Sequence, residues 1–220
     1  MKIESTIDHT LLKPVATSEQ IKVLCEEAKK FQFATVCVNP CQVKLASEQL
    51  KDCDVKVCTV IGFPLGASQS AVKAFEAKQA IACGAGEIDM VINVGAIKDK
   101  NWTLVQSDIK AVKDACGEIP LKVILETCFL DNDEIIKACE LSVEANAQFV
   151  KTSTGFGTAG ATVEHVKLMK KTVGTKALVK ASGGIRDAQS AQTMIEAGAS
   201  RLGTSAGVAI ANNATSHESY

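Results

Sequence analysis

The feature that most constrains this chain is a regular alternation of short β-branched runs with longer amphipathic stretches. Eight runs are typical of strands, at residues 5–9, 34–38, 55–61, 87–94, 121–126, 149–152, 177–180 and 201–202. The stretches between them repeat apolar residues at helical spacing, as do Ile21, Leu24, Cys25 and Ala28. Strands that alternate with helices predict a parallel sheet, because a helical crossover lets successive strands run in the same direction.

Eight strand–helix units allow two architectures, an open doubly wound sheet and a closed barrel. A chain of 220 residues gives about 27 residues per unit, which fits a compact barrel of the kind that begins near ~200 residues. No G-x-G-x-x-G motif follows the first predicted strand, which argues against a dinucleotide-binding sheet. We therefore predict an α/β protein with a single-domain (β/α)8 TIM barrel over residues 1–211. The polar, aperiodic residues 212–220 are predicted to form a flexible C-terminal tail.

Composition and charge exclude several classes of protein. The chain has 24 Lys and Arg against 25 Asp and Glu, so its formal net charge is −1 and it lacks the basic footprint of a nucleic-acid-binding protein. No apolar run reaches the ~18 residues of a membrane span, and the N-terminus lacks the apolar stretch of a signal peptide. We expect a small-molecule substrate, no nucleic-acid partner and no membrane partner.

The nine cysteines indicate a reducing compartment. Their number is odd, no C-x-x-C motif occurs, and the chain has only three histidines. A complete disulfide framework is therefore impossible within one chain, and no metal site is expected. Free thiols in this number predict a cytoplasmic protein. Cys37, at the end of the second predicted strand, either packs in the core or lines a pocket.

Two lysines occupy positions inside predicted strands rather than on helices. Lys151 follows Phe-Val and Lys180 follows Leu-Val, on the sixth and seventh strands. Neighbouring strands lie ~4.8 Å apart, so two inward ammonium groups would repel each other, and both repulsion and burial lower the pKa of a lysine. We expect a neutral amine near pH 7, as a Schiff-base nucleophile requires. The alternatives for either lysine are a strand end that reaches solvent and an ordinary ion pair.

An aspartate, Asp89, lies in the middle of the apolar fourth strand. A carboxylate there is costly unless it is paired. Asp89 is therefore either half of a structural salt bridge or a proton-handling carboxylate held by the same two lysines. Because barrel interiors are layered by alternate strands, we expect Asp89 and Lys151 in one layer and Lys180 in the next.

Glycine-rich turns follow the seventh and eighth predicted strands, at residues 182–186 and 203–207. Backbone N–H groups in such turns bind anions, and the frequent phosphate site of barrels lies after these two strands. The segment after the sixth strand is expected to form a third wall of this phosphate site. Arg186 either adds positive charge to the site or is solvated. The predicted phosphate-binding residues are Gly155, Ser182, Gly183, Gly184, Gly203, Thr204 and Ser205.

Two more polar residues near strand ends have structural interpretations. His9 is adjacent to Asp8, and a structural His–Asp contact is expected there. Glu126, after the fifth strand, either supports the lysine pair or caps a loop.

Taken in order, these segments resemble those of class I deoxyribose-phosphate aldolases nearly end to end. The most specific are IDHTLLKP at residues 7–14 and FVKTSTGFG at residues 149–157. Others are VCVNP at 36–40, VIGFPLG at 60–66, GEIDMVIN at 86–93, LKVILET at 121–127, VKASGGIR at 179–186 and RLGTS at 201–205.

The resemblance implies a cofactor-free aldolase of deoxyribose-phosphate catabolism. Such an enzyme cleaves 2-deoxy-D-ribose 5-phosphate reversibly to D-glyceraldehyde 3-phosphate and acetaldehyde. The family's Schiff-base lysine falls on Lys151, its partner lysine on Lys180 and its acid–base aspartate on Asp89. The terminal Tyr220 matches a tail tyrosine that assists proton transfer in some members, and a homodimer is implied.

The chain departs from some family members at two positions. Phe156 replaces a lysine, so that side chain cannot contact phosphate, and Ala181 replaces a proline. Two other functions stay open: a class I aldolase or transaldolase for a different phosphosugar, and a non-catalytic phosphosugar-binding barrel. The last of these would not need Lys151 and Lys180 together.

Overall fold

A computed structural model of the protein describes residues 2–216. Its eight parallel strands pair in chain order and the eighth closes on the first, so the predicted single-domain (β/α)8 barrel is confirmed. The strands are β1 (Ile7–Leu11), β2 (Thr35–Val38), β3 (Lys56–Ile61), β4 (Glu87–Val91), β5 (Leu121–Ile124), β6 (Phe149–Lys151), β7 (Leu178–Ser182) and β8 (Arg201–Thr204).

Helices surround the barrel and follow each strand. Within residues 2–216 they are α1 (Ser18–Phe31), α2 (Val43–Leu50), α3 (Ser70–Ala82), α4 (Val94–Lys98), α5 (Trp102–Cys116), α6 (Asn132–Glu144), α7 (Val163–Val173), α8 (Ala188–Glu196) and α9 (Gly207–Ala211). None of them combines the length and the apolar character needed to cross a bilayer.

The eight predicted strands exist, but several of their ends differ from the prediction. β1 begins and ends two residues later than predicted, because residues 4–6 form a 3-10 turn. β4 ends at Val91 rather than at residue 94, because the Asn93 side chain accepts a hydrogen bond from the Ala96 amide and starts α4. β7 and β8 each extend two residues further, since their ladder continues through the pair Ser182 and Gly203.

The larger of the two apolar clusters lies between the strands and the helices. On β4, for example, Ile88 and Met90 are fully buried in the outer core, whereas the alternate residues Glu87 and Asp89 pair with charged groups from other strands. Successive strand residues face opposite sides, so the outer apolar face leaves the inner face free for polar groups. The barrel interior is thereby available for chemistry.

The last described segment lies against the turn after β7. The Ser216 amide donates a hydrogen bond to the Arg186 carbonyl oxygen at 2.9 Å. The boundary at residue 211 and the mobility of residues 212–220 stay predictions. Tyr220 lies outside the described residues.

Candidate active site

One oxygen of Asp89 contacts both predicted lysines. Asp89 Oδ2 lies 2.8 Å from the Lys151 Nζ and 2.8 Å from the Lys180 Nζ. All three side chains are buried in the barrel, and Lys151 is the most exposed of them at 3%. The structure thus brings together the three residues that the sequence singled out.

The two lysines come from neighbouring strands of the barrel. Lys151 and Lys180 are direct partners in the register of β6 and β7. Asp89 comes from β4, on the other side of β5, and reaches both of them. The four-carbon stem of a lysine is long and flexible enough to bring both ammonium groups to one carboxylate oxygen.

A third lysine, which the sequence analysis missed, holds the other oxygen of Asp89. Lys122 on β5 donates to Asp89 Oδ1 at 2.8 Å and lies 2.6 Å from Glu87 Oε2. It is fully buried. The sequence does indicate a buried lysine here, because Lys122 stands in the apolar run of β5 just as Lys151 stands in that of β6.

Below the lysines, an arginine joins two further carboxylates. Arg201 Nη1 lies 2.6 Å from Asp8 Oδ1 and 3.1 Å from Glu87 Oε2. The second oxygen of Asp8 lies 2.5 Å from the Lys180 Nζ. Asp8 therefore connects Arg201 to Lys180, a role that its position beside His9 in the sequence does not indicate.

Charge pairing controls the ionisation of these groups. Burial raises the pKa of Asp89, but the ammonium groups of Lys122, Lys151 and Lys180 outweigh it and hold this pKa well below its ordinary value. Burial lowers the pKa of Lys180, but Asp8 and Asp89 outweigh it, and the result lies well above the ordinary value. The expectation that repulsion lowers the pKa of Lys180 is therefore wrong, because it left out the second carboxylate, Asp8.

Two cysteines line the same interior. Cys58 on β3 donates from Sγ to Asp89 Oδ1 at 3.1 Å, and burial together with its hydrogen bond to Cys37 raises the pKa of the Cys58 thiol well above its ordinary value. Cys58 thus remains a neutral donor to Asp89. Cys37 is the register partner of Cys58 on β2 and packs in a small buried cluster with Leu12 and Val60.

A cavity of about 250 Å³ opens at the carboxyl ends of β6, β7 and β8. Five of the seven predicted phosphate-binding residues line it: Gly155, Gly183, Gly184, Thr204 and Ser205. The exposed Arg186 also lines it. Gly183 and Gly184 have φ values of 85° and 81°, a conformation that glycine adopts readily and other residues avoid.

The other two predicted phosphate-binding residues, Ser182 and Gly203, do not line this cavity. The Ser182 hydroxyl is buried and donates to the Ser153 carbonyl oxygen at 2.6 Å. Gly203 lies on β8, where an added Cβ would be 3.0 Å from the Lys180 Cε. Ser182 therefore joins two loops, and Gly203 leaves room for the Lys180 side chain.

Glu126 and His9 serve loops and helices rather than the lysine pair. Glu126 accepts hydrogen bonds from the amide and the hydroxyl of Thr154, so it fixes the segment after β6. His9 Nε2 lies 2.7 Å from Glu27 Oε2 on α1. The expected contact of His9 with Asp8 is wrong, because successive residues of β1 face opposite sides of the sheet.

Comparison with known proteins agrees with this geometry. Residues 4–217 match the model of the family described as DeoC/LacD family aldolase. A deoxyribose-phosphate aldolase from Streptococcus sanguinis is 62% identical over 210 residues, 96% of each chain. One from Carboxydothermus hydrogenoformans is 61% identical over 223 residues, which cover 100% of this chain and 98% of the relative.

A solved structure gives the same result. The deoxyribose phosphate aldolase of Aeropyrum pernix, described as a unique tetrameric structure, superposes with a TM-score of 0.89 at 34% identity, over 96% of this chain and 89% of that one. Sequence relatives and fold agree over nearly the whole length, and the chain belongs to the DeoC/LacD family of aldolases.

Proposed function

We propose that the protein cleaves 2-deoxy-D-ribose 5-phosphate reversibly to D-glyceraldehyde 3-phosphate and acetaldehyde, through a Schiff base on Lys151. The observation that supports this most directly is the sharing of one Asp89 oxygen by two lysine ammonium groups. The relatives that are about 60% identical over the full length are deoxyribose-phosphate aldolases.

Lys151 is the lysine best suited to attack a carbonyl. Its only ion pair within residues 2–216 is with Asp89, and it shares that oxygen with Lys180. Lys122 and Lys180 each contact two carboxylates within 2.8 Å. Lys151 therefore has the fewest carboxylate partners of the three lysines, and a Schiff-base nucleophile must be a neutral amine.

Lys180 is suited to the role of acid. Because the pKa of Lys180 is raised, it keeps its proton at neutral pH. Next to Lys151, it can protonate the hydroxyl that leaves the carbinolamine as water. Asp89, held as a carboxylate, then accepts the proton of the sugar's C3 hydroxyl, directly or through one water.

Cleavage proceeds through an iminium and then an enamine on Lys151. The Lys151 nitrogen adds to C1 of the open-chain sugar, and loss of water gives an iminium. The C2–C3 bond breaks, its electron pair forms an enamine, and C3 becomes the aldehyde of glyceraldehyde 3-phosphate. Protonation of the enamine carbon and hydrolysis release acetaldehyde and restore the Lys151 amine.

The cavity after β6, β7 and β8 is proposed to bind the phosphate. Its glycine-rich turns present backbone to a ligand, Thr204 and Ser205 contribute hydroxyl groups, and Arg186 contributes positive charge. The rings of Phe156 and Phe63 pack in a T-shaped arrangement with their centroids 5.4 Å apart, so the position of the family lysine is apolar here. Binding energy from the phosphate orients the reacting end of the sugar.

Borohydride trapping tests this function. The protein is incubated with acetaldehyde and sodium borohydride, and the labelled peptide is mapped by mass spectrometry. We expect one label, on Lys151, which disappears in Lys151→Ala and persists in the control Lys176→Ala. A label on another lysine, no label, or faster cleavage of a different phosphosugar would overturn the proposal.

The tail and the assembly state complete the proposal. The Ser216 amide contacts the Arg186 carbonyl of the cavity turn, which supports a role near the site for Tyr220, a few residues further on. Deletion of residues 217–220 is expected to slow proton exchange at acetaldehyde, and unchanged exchange would remove Tyr220 from the mechanism. The homodimer is checked by light scattering, for which a monomer or a tetramer would be the contrary result.

A cytoplasmic location is also part of the proposal. All nine cysteines are free thiols in the structure, and thiols persist in reducing compartments. Cell fractionation with thiol trapping is expected to recover the protein in the cytoplasm with nine reduced cysteines. Recovery outside it, or with disulfides, would overturn this assignment.

A further inference from the structure

We infer that a one-charge excess inside the barrel, maintained by Arg201 and Glu87, keeps Lys151 available as a neutral amine. The two residues contact each other and the carboxylates and lysines around Asp89. This inference rests on the proposed function, because it concerns the amine that forms the Schiff base. Arg201 and Glu87 are positioning residues that act through other side chains.

The excess follows from the network of contacts among the described residues. Its carboxylates are Asp8, Glu87 and Asp89, and its cations are Lys122, Lys151, Lys180 and Arg201. Three negative charges therefore face four positive ones, and all of these side chains are buried except that of Arg201, which is 16% exposed. Since an uncompensated buried charge is costly, the network favours loss of one proton.

The contacts decide which group loses that proton. Arg201 cannot, because a guanidinium stays charged in proteins. The pKa of Lys122 and that of Lys180 are both raised, since the carboxylates around them outweigh the effect of burial. Lys151 shares its one carboxylate oxygen with Lys180 and is the last residue of β6, at the carboxyl end of that strand. Release of its proton removes the excess at the smallest electrostatic cost.

Arg201 and Glu87 lie too deep to touch a substrate bound at the mouth. Arg201 is the first residue of β8, at its amino end, and its guanidinium stacks on the Phe149 ring at 5.4 Å. Glu87 is the first residue of β4. Each adds one unit of charge to the network from the end opposite the cavity, where barrel residues ordinarily serve stability.

Two thiols face the same lysines and bear on the sign of the effect. Cys58 remains neutral because its pKa is raised. The pKa of Cys37 is lowered by its side-chain hydrogen bond with Cys58, against the effect of burial. A Cys37 thiolate would cancel the excess, so every variant is also made in a Cys37→Ser background, where we expect the same shifts.

The test compares the pH dependence of kcat/KM for cleavage of the phosphosugar in two variants of opposite charge. Arg201→Met removes a positive charge and the excess with it, so Lys151 holds its proton more tightly and the acid limb moves to higher pH. Glu87→Gln enlarges the excess, so the acid limb moves to lower pH. Each shift is expected to be roughly one pH unit, as for other close charges.

Two further variants separate charge from structure. The double variant Arg201→Met/Glu87→Gln is expected to return the limb toward that of the wild type. Arg201→Lys keeps the charge and should keep the limb, even where kcat falls because the guanidinium fork is lost. Thermal unfolding confirms that each variant measured is folded.

The outcomes distinguish this inference from the proposed function. Shifts in the same direction for both single variants, or unmoved limbs in folded variants, would overturn the charge-excess inference. Failure of borohydride to label Lys151 in the wild type would overturn the proposed function instead. Opposite shifts with Lys151 labelled would support both.

Discussion

Gly203 lies directly beside the stem of Lys180: a Cβ at Gly203 would be 3.0 Å from the Lys180 Cε. Such a contact is closer than side chains normally accept, so one of the two must move by a few tenths of an ångström. Because residue 203 on β8 has no side chain, Lys180 can reach Asp8 and Asp89 together.

Gly203→Ala is expected to displace the Lys180 ammonium group and to lower kcat on the order of 10-fold, since catalytic groups tolerate little misplacement. The matched control is Gly86→Ala, whose Cβ would make an ordinary contact at 3.5 Å with Lys56. Steady-state kinetics on both variants checks the prediction. Equal kcat values would show that Lys180 does not depend on this space.

Asp89→Asn tests the shared carboxylate at constant size. Loss of the negative charge leaves three buried lysines with less compensation, and we expect kcat to fall by ~10²–10⁴-fold. The free energy of unfolding should fall by about 3–5 kcal/mol, the usual cost of breaking a buried ion pair. Enzyme assay and urea denaturation give the two quantities.

A buried ion pair away from the site provides the control for that variant. Asp108 on α5 lies 2.6 Å from the Lys73 Nζ on α3, and both are buried behind the barrel wall. Asp108→Asn is expected to cost stability of a similar size and to keep kcat. If Asp108→Asn also abolished turnover, the loss in Asp89→Asn would reflect general damage to the fold.

Periodicity in the sequence predicted the eight strands and the closed barrel, because buried parallel strands are short, nearly continuous apolar runs. The same logic found Asp89, Lys151 and Lys180, since a charge within such a run needs a partner. The same logic applies to Lys122, which stands in the apolar run of β5 and also needs a partner.

Other parts of the site depend on tertiary geometry that no local pattern contains. That Asp8 pairs with both Lys180 and Arg201 follows from the closing of β1 on β8. The raised pKa of Lys180 follows from that pairing, and two lysines on neighbouring strands do not by themselves indicate it. Ser182 was assigned to phosphate because its turn is glycine-rich, yet its hydroxyl bonds within the loop.

Stability is expected to fall in acid. The lysine neighbours of Asp89 outweigh the effect of burial and give it a folded-state pKa well below the ordinary value of 3.8. The unfolded state therefore binds more protons below about pH 4, and the stabilisation present above that pH is lost as the pH falls toward the folded-state pKa. Urea denaturation between pH 3 and 8 checks this, and Asp89→Asn should weaken the acid dependence.

The raised pKa of Lys180 has the opposite effect on the pH dependence of stability. Its stabilisation is complete below the ordinary lysine value of 10.5 and is lost only as the pH rises toward the higher folded-state value. Stability between pH 5 and 9 is therefore expected to be nearly independent of this group. A decline that began at neutral pH and vanished in Lys180→Met would contradict the assignment.

Arg186→Ala tests the phosphate cavity through substrate charge. Arg186 lines the cavity but is exposed to solvent, so its attraction for phosphate is screened and worth up to about 1 kcal/mol. We expect KM for the phosphorylated sugar to rise up to about fivefold, less so at high salt, with kcat nearly unchanged. For unphosphorylated 2-deoxyribose, KM should not change, and Lys171→Ala on the exposed face of α7 should affect neither substrate. A rise in KM of the same size for both sugars would place the phosphate elsewhere, because loss of a phosphate contact cannot weaken the binding of a sugar that has no phosphate.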